Sequence, residues 1–419
     1  MRLYRPSTTL IAAGALIAAA ACTLAPTEPS GPPPALTALP RALTPAEQSI
    51  VQASNAFSFA LFDTVSAAQP GANVFLSPLS ASMSLGMALN GAAGATYDQM
   101  RSALQFGNAS QHDINAGYES LIALLTSLDP GVTMQLANSI WYDRTFPFYQ
   151  TFLDTTKAYF GAEVEPLDFG NASASLAMIN GWVNTQTDGK IPSILDAIDS
   201  NDVMFLVNAI YFNGSWRTRF DPAETQAASF AAADGSTQPV QLMHRVGTML
   251  YTADRSYQAV ELSYGDSAFA MTVLLPAPGV SVDALADSLT PAFWARVAAG
   301  LDDQRVELYL PRLTFAYART LNGDLDQLGM HDAFVPNGAD FTGMSSAGKS
   351  LYVSFVKQKT FVRVDENGTE AAAATATGVG VTSLPSTVLM RVDRPYLFVI
   401  RERLSGTLLF MGKITSMAG

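Results

Sequence analysis

The 419-residue chain has little cysteine, histidine or charge: it contains one cysteine, three histidines and 14 % charged residues. A single cysteine excludes a disulfide within the chain, and with three dispersed histidines it cannot supply a Cys/His zinc site. We therefore expect neither a metal nor another cofactor. The 24 basic residues are scattered and the net charge is −12, so the clustered Lys and Arg of a nucleic-acid-binding surface are missing as well.

Sequence signatures of catalysis are also missing. No serine lies in a Gly-x-Ser-x-Gly turn, and the glycine-rich stretch at 91–96 lacks the lysine of a phosphate-binding loop. His112, His244 and His331 lie in unremarkable surroundings, where a surface or helix-end position is the simpler interpretation. We predict that the protein is not an enzyme.

The N-terminus has the pattern of an export signal. Two arginines precede an apolar run over 10–21, which suits a signal-peptide core and is too short to span a bilayer. Cys22 follows directly, as in bacterial lipoprotein signals, where this cysteine becomes the lipidated first residue. Ala19 replaces the leucine usual three positions upstream, and plain cleavage after Ala21 is the alternative. We predict a signal peptide over 1–21 and an exported protein, either a cell-envelope lipoprotein or a secreted or periplasmic one.

Proline recurs too often over 22–45 for helix or sheet, which predicts an extended tether. From residue 46 to the end, at 419, the chain reads as one folded domain. Thr44 and Pro45 are typical of a helix start, and Ser77 before Pro78 predicts a second one. Strand-like runs follow at 203–212, 269–276, 305–317 and 351–364 and near the C-terminus. The order predicts an α+β fold with large, mostly antiparallel or mixed sheets.

One stretch fits neither pattern: "ENGTEAAAATATGVGVTSLPST", at 366–387. No residue between 371 and 390 is charged, and the composition allows a flexible linker, an alanine helix, an exposed loop or a strand. Glycines, threonines and valines weaken a helix here. Core-like strands continue after it, so a linker would be oddly placed.

Seven blocks in the chain resemble the serpins, and they occur in that family's order over essentially everything from residue 46 onward. The blocks are "NVFLSPLSASMSLGMALNGAAGATYDQM", "INGWVNTQTDGKIPSIL", "VNAIYFNGSWRTRF", "VELYLPRLTF", "LGMHDAF", "VDENGTEAAAATA" and "RPYLFVIRERLSGTLLFMGKI". The resemblance implies three β-sheets, eight or nine helices and an exposed reactive-centre loop, here about 367–391. It also implies a monomer that forms a covalent complex with a target serine protease, with cysteine proteases as a further class.

The resemblance implies a mechanism in which a protease cleaves the loop, forms an acyl-enzyme and is trapped when the loop inserts as a new central strand. Read with period two, 369, 371, 373, 375 and onward carry small or β-branched residues that suit a buried face. The opposite face carries no bulky side chain after Glu370. A strand with such a face could enter the sheet beneath the structure that covers it. The small residues at the loop start are typical of inhibitory members, while a non-inhibitory binding protein with the same fold is the alternative.

Individual positions carry over from the family's motifs. The hinge comprises Glu366, Gly368, Thr369, Glu370, Ala371, Ala372, Ala373 and Ala374. Polar and aromatic positions beneath and near the top of the parting sheet are Ser77, Ser80, Asn208, Trp182 and Gln358, with Trp182 and Glu366 near the top, where insertion begins. Gln358 replaces a common histidine, so no pH switch is expected there.

The family's usual spacing from Glu366 places the reactive bond between Thr382 and Ser383. Counting back from the block "RPY" favours Leu384 instead, but Pro385 follows it, and most serine proteases reject proline there. A small side chain at 381 or 382 suits an elastase-like or subtilisin-like target, and neither carries the positive charge that a trypsin-like pocket requires.

Overall fold

The structure is a computed structural model that describes residues 34–199, 201–369 and 387–417. These ranges contain nine α-helices and fifteen β-strands. The helices are α1 Pro45–Ala68, α2 Pro78–Leu89, α3 Gly94–Ala103, α4 Gln111–Ser127, α5 Gln150–Phe160, α6 Ala172–Gln186, α7 Val282–Asp287, α8 Pro291–Gly300 and α9 Asn322–Gln327. The strands are β1 Val74–Leu76, β2 Val132–Asp143, β3 Glu163–Leu167, β4 Met204–Ser215, β5 Gln226–Ala231, β6 Thr237–Ala253, β7 Tyr257–Ser263, β8 Phe269–Pro276, β9 Asp302–Pro311, β10 Leu313–Thr320, β11 Lys357–Asp365, β12 Gly368–Thr369, β13 Val388–Arg391, β14 Tyr396–Glu402 and β15 Leu408–Ile414.

Both predicted helix starts are confirmed. The Thr44 side chain accepts from the amide of Glu47 while the Glu47 carboxylate accepts from the amide of Thr44, a reciprocal capping box, and Pro45 holds the first helical position. Ser77 caps α2 in the same way by accepting from the Ser80 amide. These caps satisfy amides that the first turn of a helix leaves without partners.

The predicted α+β fold is confirmed. Six strands form one sheet in the order β10-β11-β12-β4-β2-β3, and nine form a second hydrogen-bonded set. That set has two parts that share the 17-residue β6: one part contains β7, β8, β14, β15 and β1, and the other contains β5, β9 and β13. The three predicted sheets are therefore present, with two of them joined through β6.

Two predicted strands differ in extent. The run 305–317 is two strands in different sheets, β9 and β10, separated at Arg312, whose amide donates to the Gln241 carbonyl. The run 351–364 becomes a strand only at Lys357. The residues before Lys357 hydrogen-bond to the segment 321–333 and do not pair with a strand. The Val353 amide donates to the Ala333 carbonyl, and the Val356 carbonyl accepts from the Leu321 amide. Composition cannot distinguish an extended segment from a paired strand.

The six-stranded sheet has an apolar layer on each face. Side chains of β4 alternate between the two faces. Ile210 and Phe212, at even positions, face the main core, and Val207, at an odd position, faces a smaller core. Helix α6 covers that smaller core with Ile179 and Val183. The outer side of β4 therefore lies beneath a helix.

Residues 34–44, the end of the predicted tether, contact the folded body. The Leu36 amide donates to the Asp266 carbonyl at 2.6 Å, and Leu39 and Leu43 pack against the main core. Arg41 pairs with Glu47 at 2.6 Å. No helix in the described ranges is long and apolar enough to cross a membrane.

Candidate functional site

The two-residue strand β12 lies between β4 and β11 at one end of the six-stranded sheet. Gly368 and Thr369 pair antiparallel with Ser215 and Gly214 on one side and with Asp365 and Val364 on the other. In the part of the chain that the structure describes, β4 and β11 do not pair with each other. The beginning of the predicted loop therefore already occupies a strand position inside the sheet.

Gly368 is required at this position by close backbone contact. A Cβ on Gly368 would lie 2.1 Å from the carbonyl oxygen of Gly214 and 2.8 Å from Cα of Ser215. Gly214 is also constrained, because a Cβ there would lie 2.9 Å from the Tyr264 ring. Neither neighbour is the flexible end of a side chain, so any larger residue forces the strands apart.

Thr369 points into the main core and is only 3 % exposed. Its hydroxyl shares a 2.5 Å hydrogen bond with the phenol of Tyr264, whose ring stacks on Trp216 at 4.4 Å between centroids. Burial raises the pKa of Tyr264 far above its ordinary value, so the phenol keeps its proton. Thr369, the first loop side chain in the sheet, is therefore hydrogen-bonded and surrounded by apolar groups.

Glu366 fixes the entry of the loop. Its carboxylate accepts from the Arg312 guanidinium at 2.7–3.0 Å and from the Thr225 hydroxyl. Burial of the carboxyl opposes its ionisation, but the hydrogen bonds from Arg312 and Thr225 outweigh that effect and lower the pKa of Glu366. The charged pair holds the chain where it leaves β11.

Trp216, and not Trp182, is the tryptophan beside the loop start. The Trp216 indole donates to the Asp365 carbonyl at 2.8 Å and its amide donates to the Asn367 carbonyl. Trp182 lies on α6, edge to face with Trp141, whose strand partner on β4 is Phe205. Phe205 is nine residues from Gly214, about 30 Å along a strand. The prediction that Trp182 lies near the top was therefore wrong: Trp182 packs on Trp141 from α6, and Trp216 is the tryptophan that lies beside the loop start.

The predicted polar residues meet at the N-terminus of α2. Gln358 bonds twice to the backbone of Ser77, accepting from its amide at 3.0 Å and donating to its carbonyl at 2.7 Å. The Ser80 hydroxyl donates to the Asn208 side chain on β4, which in turn donates to Asn138. One helix start thus holds β11 on one side and β4 on the other. The Gln358 amide bonds to α2 and not across to β4.

A cavity of about 380 Å³ continues from this cluster toward the far end of the sheet. One wall is β4 over 204–208, the other is the segment 350–358, and α2 contributes Ser80, Leu85 and Ala88. On the outer face, Asp196 contacts Lys357 and lies 3.8 Å from Lys359, and the Phe205 and Phe355 rings are 5.7 Å apart. The Phe205–Phe355 contact therefore joins the two walls, and Asp196 ties Lys357 to the segment after α6.

The predicted reactive bond at Thr382 and Ser383, its alternative Leu384, and the hinge residues from Glu370 to Ala374 lie outside the described residues, as does Cys22. Tyr264, Trp216, Arg312 and Gly214 were not predicted as site residues. Trp216, Gly214 and Arg312 stand inside the blocks "NGSW" and "PRLTF", so those motifs contained a usable signal. Tyr264 stands in no such block, and only the fold brings it to Thr369.

Comparison with known sequences assigns the family. The profile of the family "Serpin (serine protease inhibitor)" matches residues 52–417. Leukocyte elastase inhibitor A of Mus musculus is 33 % identical over 380 residues, covering 88 % of this chain and 100 % of the relative. The leukocyte elastase inhibitor of Homo sapiens is 32 % identical over 381 residues with the same coverage.

Solved structures agree with the family assignment. A thermophilic serpin, tengpin, in its native state is similar with a TM-score of 0.80 at 29 % identity, covering 91 % of this chain and 97 % of that one. Human thyroxine-binding globulin in complex with thyroxine has a TM-score of 0.81 at 26 % identity, covering 89 % and 100 %. No group of three or more metal-binding side chains lies together in the described ranges. The match over most of the chain, with curated relatives matched along their full length, shows that this protein belongs to the serpin family.

Proposed function

We propose that this protein inhibits serine proteases by inserting its cleaved loop between β4 and β11. The observation that carries the proposal is β12 itself: the loop start is already paired on both sides, and a cavity lies further along the same two walls. Relatives that are named elastase inhibitors support the general function.

The chemical step belongs to the protease. Its serine Oγ attacks the carbonyl carbon of residue 382, the bond between 382 and 383 breaks, and the new amine takes a proton from the protease's general acid. An ester then joins the protease to the part of the loop attached to β12. Cleavage frees this part of the loop to move with the protease attached. The protease is trapped when the loop inserts before water hydrolyses the ester.

The observed register predicts where each loop residue would go. Continuing the pairing of Thr369 with Gly214 and Val364 one residue at a time places Thr375 between Asn208 and Gln358. The next residues, 376–380, would lie along the cavity. Alternation from buried Thr369 directs 371, 373 and 375 to the main core and the bare residues 372, 374 and 376 toward the face that α6 covers.

Filling the cavity favours insertion. The cavity is partly open, so loop residues that enter it would displace solvent and bury part of its apolar lining. New ladder hydrogen bonds add roughly 0.5–1.5 kcal/mol each against an ordering cost of about 1–2 kcal/mol per residue. Burial of the apolar lining beside β4 would thus supply driving force that the loop's own hydrogen bonds do not.

A protease panel tests the proposal. The protein is mixed with leukocyte elastase, subtilisin and, as a matched control for the specificity pocket, trypsin. We expect a complex with elastase or subtilisin that survives denaturing gels, and none with trypsin. Mass spectrometry of the released C-terminal fragment decides between cleavage after 382 and after 384. Clean loop cleavage with no covalent complex and no large rise in melting temperature would overturn the inhibitory mechanism.

A second function keeps the fold without inhibition. The similarity to thyroxine-binding globulin, a structure solved with a bound small molecule, favours a binding protein as the alternative. Equilibrium dialysis against thyroxine tests one such ligand. Binding together with failure to trap any protease would favour this second function.

We also propose that the protein is exported and attached to a membrane through lipid on Cys22. The apolar run before the only cysteine supports this placement. Metabolic labelling with a fatty acid should mark the wild type and not Cys22→Ala. Equal labelling of both would overturn lipidation, and an unlabelled, exported wild type would indicate a secreted or periplasmic protein.

A further inference from the structure

Leu36, near the end of the predicted tether, binds the folded body beside the start of the loop. Its amide donates to the carbonyl of Asp266, in the turn between β7 and β8, at 2.6 Å. Gly265 in the same turn donates its amide to the Ser215 carbonyl at 2.9 Å, and Ser215 is the strand partner of Gly368. Three such steps of about 5 Å each place Leu36 within roughly 20 Å of the first loop residues in the sheet.

Side chains hold residues 34–44, the docked segment, on the body. Leu39 and Leu43 pack against the main core. The Arg41 guanidinium donates to both carboxylate oxygens of Glu47 at 2.6–2.7 Å. The hydrogen bond from Arg41 is the main cause that lowers the pKa of Glu47 to about 2, so this pair is ionic at neutral pH. The tether therefore leaves the body at the start of the docked segment and not at the start of α1.

The turn that receives Leu36 is itself fixed to the six-stranded sheet. The buried carboxylate of Asp129 accepts from the amide of Asp266 at 2.9 Å and from that of Gly131, one residue before β2, also at 2.9 Å. Strand β2 begins opposite Gly214, where the loop enters the sheet. The docking point is therefore a fixed part of this end of the sheet, which we call the loop end.

The chain after the loop returns to the body at the loop end too. The Arg312 guanidinium binds Glu366, just before the loop, and Tyr309, three residues before Arg312, is the strand partner of Arg391 on β13. The predicted reactive bond is five residues before β13, so it lies within about 18 Å of the first residue of that strand. The bond and Leu36 are therefore tied to the same end of the molecule.

The length of the tether limits how far the loop end can be from an anchor. Cys22 is fourteen residues before Leu36, and fourteen residues span at most about 50 Å. A protease domain of about 230 residues has a radius of gyration of about 17 Å and therefore a diameter of about 45 Å. The opposite end of β4, at Met204, is about 36 Å further from Ser215 along the strand. A lipid on Cys22 thus keeps the loop end within about one protease diameter of the membrane, whereas the far end is free to lie beyond it.

We infer that the docked segment keeps the loop end toward the membrane, and that the protein's partner is a serine protease attached to the same membrane. The inference rests on the proposed inhibitory function for the loop and on the proposed lipid for the anchor. Two proteins on one membrane meet at a high effective concentration, but they gain from it only when the loop and the protease cleft stand at the same height. Tether length and docking would therefore select the location of the target, and the loop its cleavage specificity.

The test compares two points of attachment to a vesicle. In the mature chain Cys22 is the only cysteine, so a maleimide lipid in phosphatidylcholine vesicles couples to it alone. The comparison variant carries Cys22→Ser and Ser346→Cys, with a polymer spacer as long as the tether. Ser346 is exposed and follows Ser345, which bridges to Phe148 beyond the far end of β2. Subtilisin is either dissolved or held on the same vesicles by a histidine tag on a nickel-chelating lipid.

The measured quantity is the rate at which intact chain is lost, as covalent complex or as cleaved protein. With vesicle-bound subtilisin, the form anchored at Cys22 should react about three- to tenfold faster than the form anchored at residue 346. With dissolved subtilisin the two rates should agree within about twofold, because the effective concentration on the membrane then has no part.

Release of the docked segment should reduce this advantage. Leu36→Asp combined with Leu39→Asp places two charges against the body and adds up to eight residues, those from 36 to 44, to the tether. Effective concentration falls with about the −3/2 power of tether length, so about half of the advantage or more should be lost. Thr37→Asp combined with Ala38→Asp is the matched control, because both residues are exposed in the same segment, and it should keep the advantage.

Equal rates for the two points of attachment on vesicles would overturn the inference, whether or not covalent complexes form. Cleavage without complexes makes the inhibitory function fail separately, and the cleavage rates still decide the orientation. A loop that dissolved subtilisin leaves intact overturns both. Wild-type cells that add no fatty acid to Cys22 also overturn the inference, because no anchor then exists, and leave the inhibitory function standing.

Discussion

The hydroxyl of Thr369 and the phenol of Tyr264 share a hydrogen bond of 2.5 Å inside the main core, although the two residues are 105 positions apart in the chain. This contact places the Thr369 side chain, at the start of the loop, on the core side of the sheet. It also identifies the first residue whose replacement should stop insertion.

Under the proposed inhibitory function, Thr369→Arg should make the protein a substrate that the protease cleaves without being trapped. An arginine in this buried place would leave a charge without a partner, at a cost of about 3–5 kcal/mol, so β12 should leave the sheet before cleavage. The cleaved loop would then have to insert against that cost and would do so too slowly to trap the protease. The measurement is the ratio of covalent complex to cleaved protein on denaturing gels. Thr369→Val, which keeps the shape, is the matched control and should still trap protease. Normal trapping by Thr369→Arg would show that the face assignment is wrong.

Tyr264→Phe should lower the free energy of unfolding by about 1 kcal/mol, because it removes one buried hydrogen bond and leaves the Thr369 hydroxyl unpaired. Chemical denaturation measures the loss. The double variant with Thr369→Val should recover part of it, since no unpaired hydroxyl then remains. Strictly additive losses would indicate that the two side chains do not interact in solution.

Gly368→Ala should destabilise the uncleaved protein by about 1–3 kcal/mol, since the added Cβ meets the Gly214 carbonyl oxygen at 2.1 Å. We expect residues 367–369 to leave the sheet, which increased hydrogen exchange at the Thr369 amide would report. Gly323→Ala on α9 is the control, because a Cβ there has no atom within 4 Å. An unchanged exchange pattern in Gly368→Ala would contradict the pairing of β12.

Lowering the pH should weaken the interactions by which the Glu366 carboxylate holds the start of the loop. Its folded pKa is below the unfolded value of about 4.3, so the ionised carboxylate stabilises the fold above that pH. The contribution is lost as the pH falls below about 4.3 and through the folded pKa. The melting-temperature difference between wild type and Glu366→Gln should therefore be largest near neutral pH and shrink in acid. A difference independent of pH would show that the charge is not responsible.

Asp196→Asn should speed loop insertion. Its contacts with Lys357 and Lys359 link the segment after α6 to β11 across the outer face. The hydrogen bond and charge of Lys357 lower the pKa of Asp196, so the link is ionic at neutral pH. Without it, β11 is no longer tied to the segment after α6 and should move more easily when the loop enters, so the stoichiometry of inhibition should fall toward one inhibitor consumed per protease trapped. Asp199→Asn in the same segment is the control, and equal stoichiometry for both variants would count against this link.

Much of this protein is determined by the sequence itself. Local chemistry determines the capped start at Thr44, the α+β order, the family blocks and the small alternating residues after Glu366. These features depend on capping residues, periodicity and side-chain size, which can be read from the sequence. Gly368 stood out in the sequence only as a small hinge residue, and its close approach to the Gly214 carbonyl was found in the structure.

Only the tertiary structure decided which distant residues meet. Tyr264 reaches Thr369, Trp216 takes the place predicted for Trp182, and Arg312 reaches Glu366 because the six-stranded sheet brings separate segments to one end. The run from Leu351 became a strand only at Lys357 because a strand requires a hydrogen-bonding neighbour. Long-range pairing depends on register, burial and available partners, and those are properties of the assembled fold that no single segment carries.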